Sequence, residues 1–234
     1  MESLMFRSRA FAAACLFVCA SHAAAAASCE EGFEDVASLV ARGWDIRNNS
    51  APQGPGEWTQ GDADLFTAFE GSADSYVRVG AGSAVGPYPL VSNWLVSPVI
   101  EFGPNDTSAR LFTFHTRGMP GSANRLVVRV CMIDARVDCA APGPDAGDFG
   151  GFDHVLIDIN PDLTPSGYPS QWTSYSIAPA DGWPLVGSGR VAFHYYVFAQ
   201  GPKIFGTTIG IDSVAIVGAS ACPFGEFVFV GGFD

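Results

Sequence analysis

The sequence predicts an all-β fold, a sandwich of antiparallel strands, and three observations carry that expectation. Eight runs rich in apolar and β-branched residues, at 75–80, 90–100, 110–116, 126–133, 153–159, 171–177, 190–199 and 208–217, are separated by Gly-, Pro- and Asp-containing segments. The 18 Phe and 5 Trp supply ample core material, so the 27 Gly and 16 Pro mark turns rather than disorder. In 126–133 the residues alternate: Leu126, Val128, Val130 and Met132 form an apolar face, and Val127, Arg129, Cys131 and Ile133 a mixed one.

Along the chain, residues 1–27 have the layout of a secretory signal peptide. Arg7 and Arg9 precede an apolar run from Ala10 to Ala20, and small residues follow around 23–27. Removing 27 of the 234 residues leaves 207, and the loss of Glu2, Arg7 and Arg9 moves the formal charge from −12 to −13. That length suits one large β domain, expected over 28–221, with a tail over 222–234. No repeat and no break in composition argues for a second domain. Only 36–42 has helical character, at most two turns. The segments 48–56, 80–89 and 140–151 are expected to be turns and irregular loops rather than packed structure.

Composition excludes several partners. An acidic chain whose single lysine is Lys203 is repelled by nucleic-acid phosphates and anionic lipid. No apolar stretch after residue 27 approaches the ~20 residues that span a bilayer. A soluble, secreted monomer, extracellular or periplasmic, is expected.

Of six cysteines, Cys15 and Cys19 leave with the leader. Cys29, Cys131, Cys139 and Cys222 remain in an oxidising compartment, where an even number favours disulfides. Four cysteines allow three pairings. The preferred one joins Cys131 to Cys139 across a hairpin loop and Cys29 to Cys222 at the two ends of the domain.

The motifs of common nucleophilic, zinc and phosphate-binding sites, G-x-S-x-G, H-E-x-x-H, the P-loop and C-x-x-C, do not occur. His115, His154 and His194 sit in or beside expected strands without metal-ligand spacing, as satisfied or solvent-facing strand residues. Carboxylates say more. Glu34 and Asp212 each interrupt an apolar pattern, and a Cys29–Cys222 bridge would draw their segments together. Carboxylates in close company need a cation or a shared proton, and calcium, which takes oxygen ligands, fits best. The acids at 62, 64, 145, 148 and 153 read as solvated turn residues. Loop aromatics are the third class. Trp58, Tyr88, Trp172 and Trp183 border polar or Gly/Pro-rich segments, where an exposed ring stacks on a sugar and a buried one plugs the sandwich.

The segments Gly32-Phe33-Glu34-Asp35, Gly43-Trp44, Asn93-Trp94-Leu95-Val96-Ser97-Pro98-Val99-Ile100 and Ile209-Gly210-Ile211-Asp212-Ser213-Val214 follow one another in an order that resembles the cleaved-adhesin, or choice-of-anchor J, domains, relatives of MAM-like jelly rolls. The similarity spans about 29–217. It implies a jelly-roll β-sandwich, often calcium-bearing, used on exported proteins for adhesion or beside a larger enzyme. Glu34 and Asp212 match the family's acidic positions near calcium, and Asn93 the polar position before the tryptophan. The tail lacks the apolar span and basic residues of a sorting anchor.

The expected function is a secreted, non-catalytic binding module that recognises a carbohydrate or protein surface through loops at one end of the sandwich. Its rival is a secreted hydrolase with a glycosidase-like carboxylate pair, which needs two acids ~5–10 Å apart in an open cleft. A third reading is a structural element of a surface layer.

Overall fold

The structure is a computed structural model, and it describes residues 27–102, 111–145, 147–198, 206–218 and 221–229. The expected leader, 1–27, lies outside the described residues except for Ala27, which opens the first strand. Among the described residues thirteen strands form two antiparallel sheets: β1 (Ala27–Glu31), β2 (Asp45–Asn48), β3 (Thr59–Gln60), β4 (Val77–Gly80), β5 (Leu90–Val96), β6 (Ile100–Phe102), β7 (Leu111–Gly118), β8 (Leu126–Met132), β9 (His154–Ile159), β10 (Thr173–Ile177), β11 (Gly187–Phe198), β12 (Thr208–Val217) and β13 (Glu226–Phe229). One sheet runs β10-β7-β12-β1-β13, with β4 also against β12 and β3 against β4; the other runs β2-β5-β11-β8-β9, with β6 also against β11. This is the jelly-roll β-sandwich expected from sequence.

All eight apolar runs contain strands, and 36–42 is two short 3-10 turns. The run 90–100 is two strands, because the ladder breaks at Pro98, which has no N–H to donate. Between the sheets, Phe112, Phe114 and Trp183 pack with Phe193, Leu95, Leu126, Val128, Ile209 and Ile211. Leu126, Val128 and Val130 of the apolar face of β8 lie in this core, as the alternation requires, whereas Met132 at the strand's end is exposed.

The bridges are Cys29–Cys222 and Cys131–Cys139. Of the segment expected as a tail, 222–234, the described part, 222–229, enters the fold. Phe224 is buried and stacks on Trp44 with centroids 5.5 Å apart, and β13 pairs with β1. The Cys29–Cys222 bridge holds this return close to β1, which its sequence position alone did not reveal.

The segment 140–151, expected as an irregular loop, differs from expectation, because its described residues and their flanks pack. Cys139, Phe149 and Phe152 cover the outer face of the second sheet, closing a second apolar cluster with Trp94, Val96, Cys131 and Ala192. The Cys131–Cys139 bridge staples the loop to β8, so its turn-rich backbone carries apolar side chains onto the mixed face. His194 is enclosed here. It stacks on Trp94 at 3.7 Å, and burial, with Arg129 and Arg125 nearby, holds its imidazole well below the usual histidine range.

Candidate functional site

The site is built around a seam in the first sheet. Over Thr208–Ile211 the neighbour of β12 on one side is β4; over Val214–Val217 it is β1. Asp212 and Ser213 fall between the two, at a register shift against β7, and Ser213 adopts a left-handed φ of 48°. Ile211 points into the core, so Asp212 points outward, opposite His115 of β7.

Asp212 is nonetheless fully buried, because 61–75 folds over the sheet. The backbone N–H groups of Phe69 and Glu70 donate to its Oδ2 at 2.7 and 3.2 Å, and that of Ser213 to its Oδ1 at 2.6 Å. Burial pushes its pKa up to about 6 even though these three bonds favour the carboxylate.

Aromatic side chains hold the covering loop. Phe66 stacks on Tyr76 with centroids 4.9 Å apart, Trp172 meets both rings edge-on at 5.7 Å, and the Arg117 guanidinium lies 4.4 Å from the Phe66 centroid. The Trp172 indole N–H donates to the Thr67 carbonyl at 2.8 Å, and Phe69 stacks on His115 at 3.7 Å. The close approach depends on Gly210, where a Cβ would come within 3.0 Å of Phe66, Tyr76 and Trp172.

Beside the covered Asp212 opens a cavity of about 450 Å³, lined by Glu30, Gly32, Glu34, Glu70, Gly71, Asp212 and Ser213. Its four acids meet no Lys or Arg in that lining. The neighbouring Glu31 differs: it is buried, takes two hydrogen bonds from the Arg42 guanidinium and accepts the Phe33 N–H at 3.0 Å. Thus Glu34 and Asp212 come to one cavity, and Glu70, invisible as a loop acid in sequence, joins them.

The oxygen-only donor set, with no Lys or Arg in the lining, fits a hard cation. Asp212 has already committed lone pairs to three N–H groups, and among the described residues no three acid, imidazole or thiol groups are gathered closely enough to grip a metal. A cation would therefore have to draw in the exposed Glu34 and Glu70. Asn93 belongs elsewhere. It is buried in the second sheet and donates to Ser83 Oγ at 2.7 Å and to the Gly56 carbonyl at 3.2 Å.

The four candidate aromatics separate. Trp58 and Trp183 are each only 2% exposed, and Trp183 stacks on Phe112 at 4.9 Å; neither offers an open ring face to a ligand, because each fills the interior next to its loop. Trp172 is half-buried and spends its ring on the covering loop. Tyr88 alone of the four is open, at 67% exposure.

Tyr88 stands on a stitched pair of loops. The Asn48 side-chain amide donates to the carbonyls of Gly54, Gly56 and Ser83 at 2.8–2.9 Å. The Val85 N–H donates to the Pro52 carbonyl at 3.0 Å, and bridges join Ala51 to Leu90 and Gln53 to Ala84. The segments 48–56 and 80–89 thereby become one plate that exposes Val85 and Tyr88. They are irregular, as expected, but fixed.

No family model and no curated protein matches the chain. Among solved structures it is similar to the K1 cleaved adhesin domain of Lys-gingipain from Porphyromonas gingivalis, with 18% identity, coverage of 81% of this chain and 96% of that one, and a TM-score of 0.48. It is also similar to a family 22 carbohydrate-binding module from Clostridium thermocellum, at 12% identity, 82% and 93% coverage and a TM-score of 0.38. A third is the family 11 carbohydrate-binding module of the same organism, solved with a β-1,3-1,4-mixed-linked tetrasaccharide, at 13% identity, 84% and 98% coverage and a TM-score of 0.42.

Proposed function

We propose that the chain is a secreted, non-catalytic binding module that meets a carbohydrate or protein surface with the plate formed by 48–56 and 80–89. The observation that carries this reading is Tyr88: an exposed ring on a loop immobilised through Asn48 loses little conformational freedom when it stacks on a ligand. A glycan array probed with wild-type protein and Tyr88→Ala tests it. Retention of glycans by the wild type and their loss by the variant is expected; identical retention by both removes the plate from the account.

Calcium, in this proposal, is structural and sits in the acidic cavity, held by Asp212 and Glu34 with Glu70 and backbone carbonyls. The four acids in one lining support it, since a divalent ion relieves their mutual repulsion and fastens the covering loop to the seam between β4 and β1. Binding to the native state alone raises the melting temperature with ion concentration, following RT ln(1 + [L]/Kd). Asp212→Asn is expected to abolish that rise.

One observation favours the hydrolase reading. A carboxyl raised to about 6 beside three further acids in an open cavity is the pattern of a general acid and its partner. The two readings part on Asp212→Asn. Structural calcium predicts loss of calcium-dependent stabilisation with no turnover to lose, whereas the hydrolase predicts glycoside turnover in the wild type that disappears in the variant.

A further inference from the structure

A second surface of the sandwich has an open strand edge. Strand β2 ends its sheet: it pairs with β5, and no described strand lies on its other side. The N–H groups of Asn49 and Ala51 donate to the carbonyls of Ser92 and Leu90, each at 2.8 Å, and the same ladder pairs Arg47 with Trp94 and Asp45 with Val96. In an antiparallel ladder the residues between these direct their N–H and C=O the other way. Ile46 therefore presents its backbone N–H and C=O at the free edge.

Beside that edge lies a groove of about 370 Å³ lined by Val36, Ala37, Val40, Ile46, Glu57, Trp58, Thr59 and Gln60. It separates β2 from β3, a two-residue strand of the opposite sheet that pairs, among the described residues, with β4 alone. Its apolar wall includes Val40, 63% exposed, and Trp58, whose indole N–H has no acceptor among the described residues. Glu57 is the one acid or base in the lining and has no ion-pair partner among the described residues.

We propose that this groove takes an extended peptide from a partner protein, which adds as a strand to the edge of β2, seats one apolar side chain against Val40 and Ile46, and presents a basic residue to Glu57. Strand addition uses the free backbone groups for affinity and the pocket for selection. Charge complementarity selects the occupant. With 24 acids against 12 Lys and Arg, this chain repels a second copy of itself and attracts a cationic strand. The groove is separate from the Tyr88 plate, so the proposal does not depend on that surface.

The test uses two capped, fluorescently labelled heptapeptides, Lys-Thr-Val-Leu-Val-Thr-Lys and the same sequence with both lysines replaced by glutamate, titrated against the full chain by anisotropy. Binding of the lysine peptide, at least tenfold tighter than the glutamate peptide, is expected. Ile46→Pro removes the outward N–H without touching a β5 bond and is expected to weaken binding at least tenfold. Val40→Ser, at an exposed position, provides a second variant with the same expectation should the proline variant fail to fold. Amide exchange at Ile46 should slow at least tenfold in the bound state, a signal that binding elsewhere would not give. No binding of the lysine peptide at millimolar concentration, binding indifferent to Val40→Ser, or binding without slowed exchange at Ile46 overturns the proposal.

Discussion

The burial of Asp212 makes a quantitative prediction about pH. Its carboxyl is raised from the ordinary 3.8 to about 6, with desolvation as the leading cause. A raised carboxyl stabilises the fold most when protonated. Its contribution is complete below the unfolded value near 4 and is lost as pH rises through about 6. The difference of about two pKa units corresponds to roughly 3 kcal/mol, at 1.36 kcal/mol per unit. The perturbation is Asp212→Asn, which cannot titrate, and the assay is urea unfolding of both proteins in chelator from pH 4 to 8. The stability of wild type relative to the variant should fall by roughly 2.5 kcal/mol across that range, most of it between pH 4 and 6 with the midpoint near pH 5. Millimolar calcium should oppose the fall, because the ion binds the ionised form that burial disfavours. A difference that stays flat with pH in chelator, or that rises, refutes the argument from burial.

Three further predictions follow from packing and covalent structure. Replacing Cys29 and Cys222 with serine opens a bridge spanning 193 residues and should cost ~2–5 kcal/mol by chemical denaturation. Gly210→Ala places a methyl group against Phe66, Tyr76 and Trp172 and should destabilise by ~1–3 kcal/mol, with faster amide exchange at Phe69 and Glu70 as the covering loop lifts. Asn48→Ala removes the donor shared by Gly54, Gly56 and Ser83 and should cost ~1–3 kcal/mol while accelerating proteolysis within 80–89; unchanged cleavage would show that the plate is held by its bridges alone.

Sequence revealed the elements whose determinants are local. Alternation and β-branching located β4, β5, β7, β8, β9, β10, β11 and β12, because those strands place apolar side chains on the core. The strands it missed are short or polar: β2 is Asp45-Ile46-Arg47-Asn48, and β1 ends in Glu30 and Glu31. Asp212 was legible because it breaks the apolar pattern of β12. Glu70 was not, since an acid in a turn-rich loop carries no sign that the loop returns over the sheet. The aromatics mark the same boundary. Trp58 and Tyr88 have similar Gly/Pro-rich neighbours, yet one is buried and the other exposed, because exposure depends on which distant strands arrive beside the loop. The Phe149 and Phe152 rings of 134–152 were hidden in the same way, packed against Trp94 through contacts remote in sequence.

The central claim, that contact is made by the Tyr88 plate and that the acidic cavity maintains the scaffold, is tested most directly by the affinity of an array-selected glycan for wild type, Tyr88→Ala and Glu70→Gln in saturating calcium. Tyr88→Ala should lose at least tenfold in affinity with an unchanged melting temperature, and Glu70→Gln should keep the wild-type affinity. Affinity that survives Tyr88→Ala and disappears in Glu70→Gln would place the ligand in the cavity and contradict the account.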